Sequence, residues 1–343
     1  MTRSVLDSIT AALLAALQKD PAVLLLGEDI LDPYGGAFKA TRGCSTAYPE
    51  RVISTPISEA GLGGLCAGLA LRGQRPVLEI MFGDFTTLLA DQLINHISKF
   101  RWMYNNSVAV PLVVRTPMGG RRGYGPTHSQ TLEKLFLGIP GLTVAAPLNF
   151  DLPGYGDICQ VLLSRVITET QEPVLFIENK LQYLLPVLSS ADLSDFTARV
   201  SYSSNDSASL YPEVTLAIKG APPASVTLTA YGYMAELARQ AQKKLAYEHE
   251  IFTELVLPTR LSPFDTANLQ ASTARTGRLL TLEEGTLSLG WGAEITARVA
   301  SAQPGVKVAR LAAAETPVPA SQVLEKVTLP QVEDILSIVQ KMV

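Results

Sequence analysis

Val52-Ile53-Ser54-Thr55-Pro56-Ile57-Ser58-Glu59-Ala60-Gly61-Leu62-Gly63-Gly64-Leu65-Cys66-Ala67-Gly68-Leu69-Ala70-Leu71 reads as a short strand, a turn and a helix. A second apolar run at 76–81 follows. Strand, helix and strand in that order make a βαβ unit, whose two strands must run parallel. The same alternation extends in both directions. Residues 23–26, 112–115, 142–145 and 174–177 read as further strands, and 85–104, 132–137 and 157–169 as helices between them. Uniformly apolar strands interleaved with helices predict an α/β fold with a parallel sheet covered on both faces. Such sheets carry ligand loops at the carboxyl ends of their strands.

Upstream, Val5, Leu6, Ile9, Leu13 and Leu17 recur at helical spacing, with Ser4 or Asp7 placed to cap the start. The apolar run at 9–17 falls short of the roughly 20 residues that span a bilayer. Arg3 is the only basic residue before it, which argues against a signal peptide. Downstream, 191–222 is rich in Ser, Asp and Pro and reads as a linker holding at most one strand, at 214–218. Alternation then resumes with strands at 226–230, 252–257 and 278–282 and helices at 234–245 and 264–274. Two domains are expected, 1–190 and 223–343. That count suits 343 residues at about 100–200 per domain.

A net charge of −4 without any basic run argues against nucleic acid or a membrane surface as partner. Cys44, Cys66 and Cys159 are far apart and form no CxxC pair, which suits a reducing, cytoplasmic setting without disulfides or a zinc site.

Two strands run into acidic loops, one at Gly27-Glu28-Asp29 and one at Glu59. The helix behind Glu59 is crowded with glycines, each costing up to about 1 kcal/mol relative to Ala, which points to close backbone packing. A carboxylate opening so apolar a helix is shielded from water, which raises its pKa, while the helix dipole opposes the rise. Simple capping of the helix by Glu59 is the plainer alternative. Gly61-x-Gly63 starts a dinucleotide fingerprint but Cys66 stands where the third glycine belongs. The loop from Arg115 to Gln130 is dense in glycine and proline after a strand, a common setting for function, and it carries His128. His96 and His249 lie on polar or charged stretches.

Taken in order, several blocks resemble the β subunits of pyruvate, branched-chain 2-oxoacid and acetoin dehydrogenase E1 components. They are Gly27-Glu28-Asp29, Tyr34-Gly35-Gly36-Ala37-Phe38-Lys39, Thr55 to Gly61, and Glu79-Ile80-Met81-Phe82-Gly83-Asp84-Phe85. Arg115 to Gly120, His128-Ser129-Gln130, Leu261 to Thr266, Glu283-Glu284-Gly285 and Pro317-Val318-Pro319 continue the series. The resemblance implies a transketolase-like pyrimidine-binding domain followed by a transketolase C-terminal domain. It implies thiamine diphosphate as cofactor, with Glu59 hydrogen-bonded to N1′ of its aminopyrimidine. The resemblance implies that Phe85 stacks on that ring, with Phe82 as a candidate for the same role. It likewise implies that Glu28 supports the proton network, that Ile57 adds a cofactor contact and that His128 faces the substrate. Tyr124 stands where many branched-chain relatives have histidine, and Leu88 where pyruvate-type relatives have glutamine.

A diphosphate with its magnesium ion needs several oxygen ligands. The family's Gly-Asp-Gly motif with its later Asn is missing: Gly83-Asp84-Phe85 and Gly156-Asp157-Ile158 both fail at the third position. The resemblance therefore implies no metal site on this chain and an α-type partner that holds diphosphate and Mg2+. An α2β2 assembly with a β–β contact follows, and a lipoyl E2 protein as acceptor. A split carboligase or transketolase-like enzyme, and a purely scaffolding subunit, are the competing readings.

Overall fold

The computed structural model of the chain describes residues 3–203 and 209–343. Its contacts divide it into two units, 1–118 with 135–187 and 119–134 with 188–343.

The first unit is organised by six strands: Val23–Gly27, Val52–Ser54, Arg75–Glu79, Val113–Met118, Thr143–Ala145 and Val174–Asn179. Each pairs in parallel with its neighbours. Their spatial order is 143–145, 174–179, 113–118, 75–79, 23–27, 52–54. The two strands that run into acidic loops are adjacent, Gly27 opposite Ser54. Two interior strands, 113–118 and 174–179, are buried along their whole length, as sheets covered on both faces require. The opening helix Val5–Lys19 buries Val5, Ile9, Leu13 and Leu17 on one side. Ser4 and Asp7 cap it reciprocally, each satisfying the other's backbone N–H.

The helix Glu59–Leu71 begins at Glu59 itself. Its glycines divide by face. A Cβ on Gly63 would come within 2.2 Å of the Leu89 Cδ1, and Leu89 is fully buried. Gly64 and Gly68 face open space.

The single helix expected at 85–104 is instead three short pieces: a 3-10 turn Gly83–Leu89, a π turn Gln92–Ile97 and an α turn Phe100–Met103. Thr86 and Thr87 donate their hydroxyls to the carbonyls of Gly83 and Asp84, at 2.6 and 2.9 Å, and compete there with helical bonds. The helix expected at 132–137 shrinks to the turn Glu133–Leu135.

The second unit holds a mixed sheet ordered 307–313, 278–286, 226–230, 253–258, 212–218, 196–202. The first four strands are parallel, and Pro212–Ile218 and Phe196–Tyr202 are antiparallel to their neighbours. The stretch 191–222 is therefore not a plain linker, and residues 204–208 of it lie outside the described ones. Strand 196–202 lies at the sheet's edge and is largely half-exposed, so its polar composition hid it. Tyr233–His249, Trp291–Ala302 and Val332–Met342 are among this unit's helices. Among the described residues no helix is long and apolar enough to cross a membrane.

Replacing Gly63 by Ala is expected to destabilise the chain by about 1–3 kcal/mol through overpacking. Gly64→Ala and Gly68→Ala should stabilise it by up to about 1 kcal/mol each. Urea midpoints of the three variants check this ordering, and equal shifts at 63 and 64 would contradict the packing described.

Candidate active site

Adjacent parallel strands deliver two carboxylates to one edge of the first unit's sheet. Strand Val23–Gly27 is followed directly by Glu28, and strand Val52–Ser54 reaches Glu59 after a four-residue turn. The Thr55 N–H donates to the Gly27 carbonyl at 3.0 Å and holds the two exits side by side. Glu59 is only 7% exposed. The Oε1 of Glu28 is buried without a partner. Burial, then the negative charges of Glu59 and Asp29, push the Glu28 carboxyl above its ordinary value, and the Ser58 N–H partly offsets them. Ile57 stands 81% exposed on the turn between strand and helix.

Next to these strands, Arg75–Glu79 continues into Phe82 and the turn carrying Phe85. Phe82 and Phe85 meet edge to face at 5.9 Å, and Phe38 meets Phe82 at 5.4 Å and Tyr183 at 5.6 Å. The fully buried Lys180 holds its ammonium 5.5 Å from the Phe82 ring centre. Phe82 is thus occupied by packing on several sides, and both rings are half-buried.

Under the aromatics lies a buried ion network. Arg115 donates to both Glu178 oxygens, at 2.7 and 2.9 Å, and to Glu79 at 2.9 Å. Tyr183 donates its hydroxyl to the same Glu178. The guanidinium ties three neighbouring strands together at their carboxyl ends, in the bidentate geometry that suits arginine. Glycine is required at position 83 because a Cβ there would sit 2.3 Å from the Met118 Cγ.

His128 belongs to the second unit, in the 119–134 loop. Its Nδ1 lies 3.0 Å from the Thr127 hydroxyl and its N–H donates to the Gly125 carbonyl at 3.3 Å. Glu28, Ile57, Glu59, Phe82 and Phe85 share the first unit. A cleft of about 560 Å³ elsewhere on that unit is lined by Ser98, Trp102, Pro140 and Glu172, and none of the expected residues borders it. Among the described residues no three His, Cys, Asp or Glu side chains gather in a way that could hold a metal ion.

Comparison with known proteins matches residues 2–184 to the transketolase pyrimidine binding domain and 219–335 to the transketolase C-terminal domain. A mitochondrial pyruvate dehydrogenase E1 component subunit beta-1 of Arabidopsis thaliana is 34% identical over 97% of this chain and 87% of its own length. The chain belongs to the family of 2-oxoacid dehydrogenase E1 component β subunits. The β subunit of the acetoin:2,6-dichlorophenolindophenol oxidoreductase of Bacillus subtilis (strain 168) is 33% identical to this E1 β-type chain, over 98% of it and 95% of the relative. A solved split-gene transketolase, described as an inactive β4 tetramer, shares its fold. The TM-score is 0.69 and the identity 22%, over 100% of this chain and 98% of that one.

Reading the sequence as an E1 β subunit left Phe38, Lys180, Tyr183 and the Arg115–Glu178 pair without roles. Glu178 had a visible signal, as an acid directly following the apolar run 174–177. The contacts of Phe38 and Lys180 are long-range and leave no periodic trace.

The raised Glu28 makes a pH prediction. Its charged form is disfavoured in the folded chain, so stability falls as pH rises from the ordinary carboxylate range through the raised value. Glu28→Gln should therefore melt higher than the parent at about pH 8 and little differently at about pH 4. A melting difference independent of pH would count against the assignment.

Proposed function

We propose that the chain is the β subunit of a heteromeric thiamine-diphosphate-dependent 2-oxoacid dehydrogenase, with Glu59 as the residue that activates the cofactor's aminopyrimidine. The observation that carries this is a glutamate only 7% exposed at the start of a helix, beside a second carboxyl whose Oε1 is buried and unpartnered. Buried polar groups in folded proteins are normally satisfied, so an orphaned carboxyl oxygen beside Glu59 marks a place built for something else to bind. An aminopyrimidine fits: it offers one ring nitrogen that can share a proton with Glu59.

When bound, thiamine diphosphate supplies the carbon nucleophile and electron sink that decarboxylation of a 2-oxoacid needs. The protein's part is to hold and move protons around it. Glu59 shares a proton with the pyrimidine N1′, and its shielding from water keeps that exchange directed at the ring. Glu28 adds a carboxyl that carries a proton more readily than an ordinary glutamate, a reserve beside Glu59. Phe85 would hold the pyrimidine by stacking, with Phe82, its neighbour in the aromatic cluster, as a candidate for the same role, and Ile57 would add a contact. In this reading His128 would face the substrate and either donate to its oxygen or assist acyl transfer onto the lipoamide of an E2 protein.

The diphosphate and its Mg2+ fall to an α-type partner in this reading, in an α2β2 assembly with a β–β contact. The surface around Glu59 supports that division. Ile57 and Leu65 are exposed, and Gly64 and Gly68 leave open space on the outer side of the helix that Glu59 opens. Such a face suits the close approach of a second chain, as small residues do wherever helices meet tightly. The three cysteines are unpaired and buried, in keeping with a cytoplasmic setting.

In the assembled enzyme Glu59→Gln is expected to lower turnover about a hundredfold or more, the usual contribution of a positioned proton-transfer group. Steady-state kinetics with the α partner present measure it. Undiminished turnover would refute the role given to Glu59.

A further inference from the structure

The loop that carries His128 is closed at its base, where the Gly119 N–H donates to the Gln130 carbonyl at 3.1 Å. Its descending limb is tied down by Lys134, whose ammonium donates to the Thr286 hydroxyl at 2.5 Å and the Ser288 carbonyl at 2.8 Å. The ascending limb, 120–123, is held by carboxylates from the far end of the chain. Glu325 accepts two backbone N–H groups at once, from Arg121 at 2.7 Å and from Gly123 at 3.1 Å, one on each oxygen. Glu284 accepts the Gly120 N–H at 2.7 Å and pairs with the Arg121 guanidinium at 3.5 Å. The Arg121 side chain also donates to the Pro330 carbonyl at 2.6 Å and lies 5.1 Å over the Tyr233 ring.

Backbone conformation explains why such a clamp is needed. Arg121 sits at φ 69°, in the left-handed region that costs a side-chain-bearing residue, and Gly123 and Gly125 follow at 71° and 75°. Left alone, this limb has many conformations available. Bonds from backbone N–H groups to an ionised carboxylate are about twice as strong as neutral ones, and Glu325 is only 2% exposed. Gly120 is cut to fit the clamp: a Cβ there would meet Leu329 Cδ1 at 2.7 Å and Glu325 Oε1 at 3.1 Å.

We infer that Glu325, on the turn-length helix Gln322–Thr328, is a positioning residue that fixes the loop presenting His128, and that it sets turnover without touching substrate. The inference rests on the reading of His128 given above. Glu325 reaches the loop through two N–H groups, so an amide in its place keeps one acceptor and offers a clashing NH2 to the other donor.

The test uses the full chain and the assembled enzyme. Arg121 and Arg122 are trypsin sites inside the clamped limb, so the parent chain should resist cutting there. Glu325→Ala should be cut at least about tenfold faster, in step with local opening, and Glu325→Gln at an intermediate rate. In the assembled enzyme Glu325→Ala should lower kcat about a hundredfold with KM for the 2-oxoacid little changed, and Glu325→Gln should retain part of the loss. If Glu325→Ala does not fold, the graded cutting and kcat of Glu325→Gln decide alone. Cutting at the parent rate, or a loosened loop with undiminished kcat, would overturn the inference. Absence of thiamine-diphosphate-dependent turnover in the assembled parent would bring down the functional reading and the catalytic half of this inference with it. The proteolysis would still decide the clamp.

Discussion

A carboxyl oxygen taken out of water without a partner is expensive, and the Oε1 of Glu28, beside the 7% exposed Glu59, is such an oxygen. The fold is arranged so that the cost is met at one place. Parallel strands finish together, so two neighbouring strands present Glu28 and Glu59 at the same edge, with helix Glu59–Leu71 leading away from it. The positive end of that helix eases the burden of the charge at its first residue. Gly63, at the cost of local helix stability, allows the helix to lie tightly on the turn at Leu89.

The rest of the first unit serves the rigidity of that edge. Arg115 bridges Glu79 and Glu178 and ties three neighbouring strands together. Removing one partner of such a buried network leaves an uncompensated charge, so the network resists change. Tyr183, which donates to Glu178, joins that network to the cluster of Phe38, Phe82 and Phe85. The second unit uses the same device for a different purpose. There Glu284 and Glu325 bind loop backbone directly, and ordered loop geometry replaces strand geometry as the means of aiming a side chain.

How much of this was legible in the sequence follows from the range of each interaction. The parallel sheet was legible because apolar runs alternate with helical patterns over neighbouring residues, and Glu28 and Glu59 were visible as acids placed just past strands. The interruption of 85–104 was not, because the hydroxyl-to-carbonyl bonds of Thr86 and Thr87 look like ordinary helix positions in a string. Strand 196–202 was hidden by its half-exposed edge position. The attachment of 119–134 to the second unit was out of reach altogether. It depends on bonds such as the one from Arg121 to Glu325, spanning 204 residues, which obey no period.

The central claim is that Glu59 takes on a shared proton when the aminopyrimidine arrives. Calorimetric titration of the assembled protein with thiamine diphosphate, repeated in buffers of different ionisation enthalpy, counts the protons exchanged on binding. Net proton uptake in the parent that disappears in Glu59→Gln is the predicted result. The same proton count in both proteins would contradict the account.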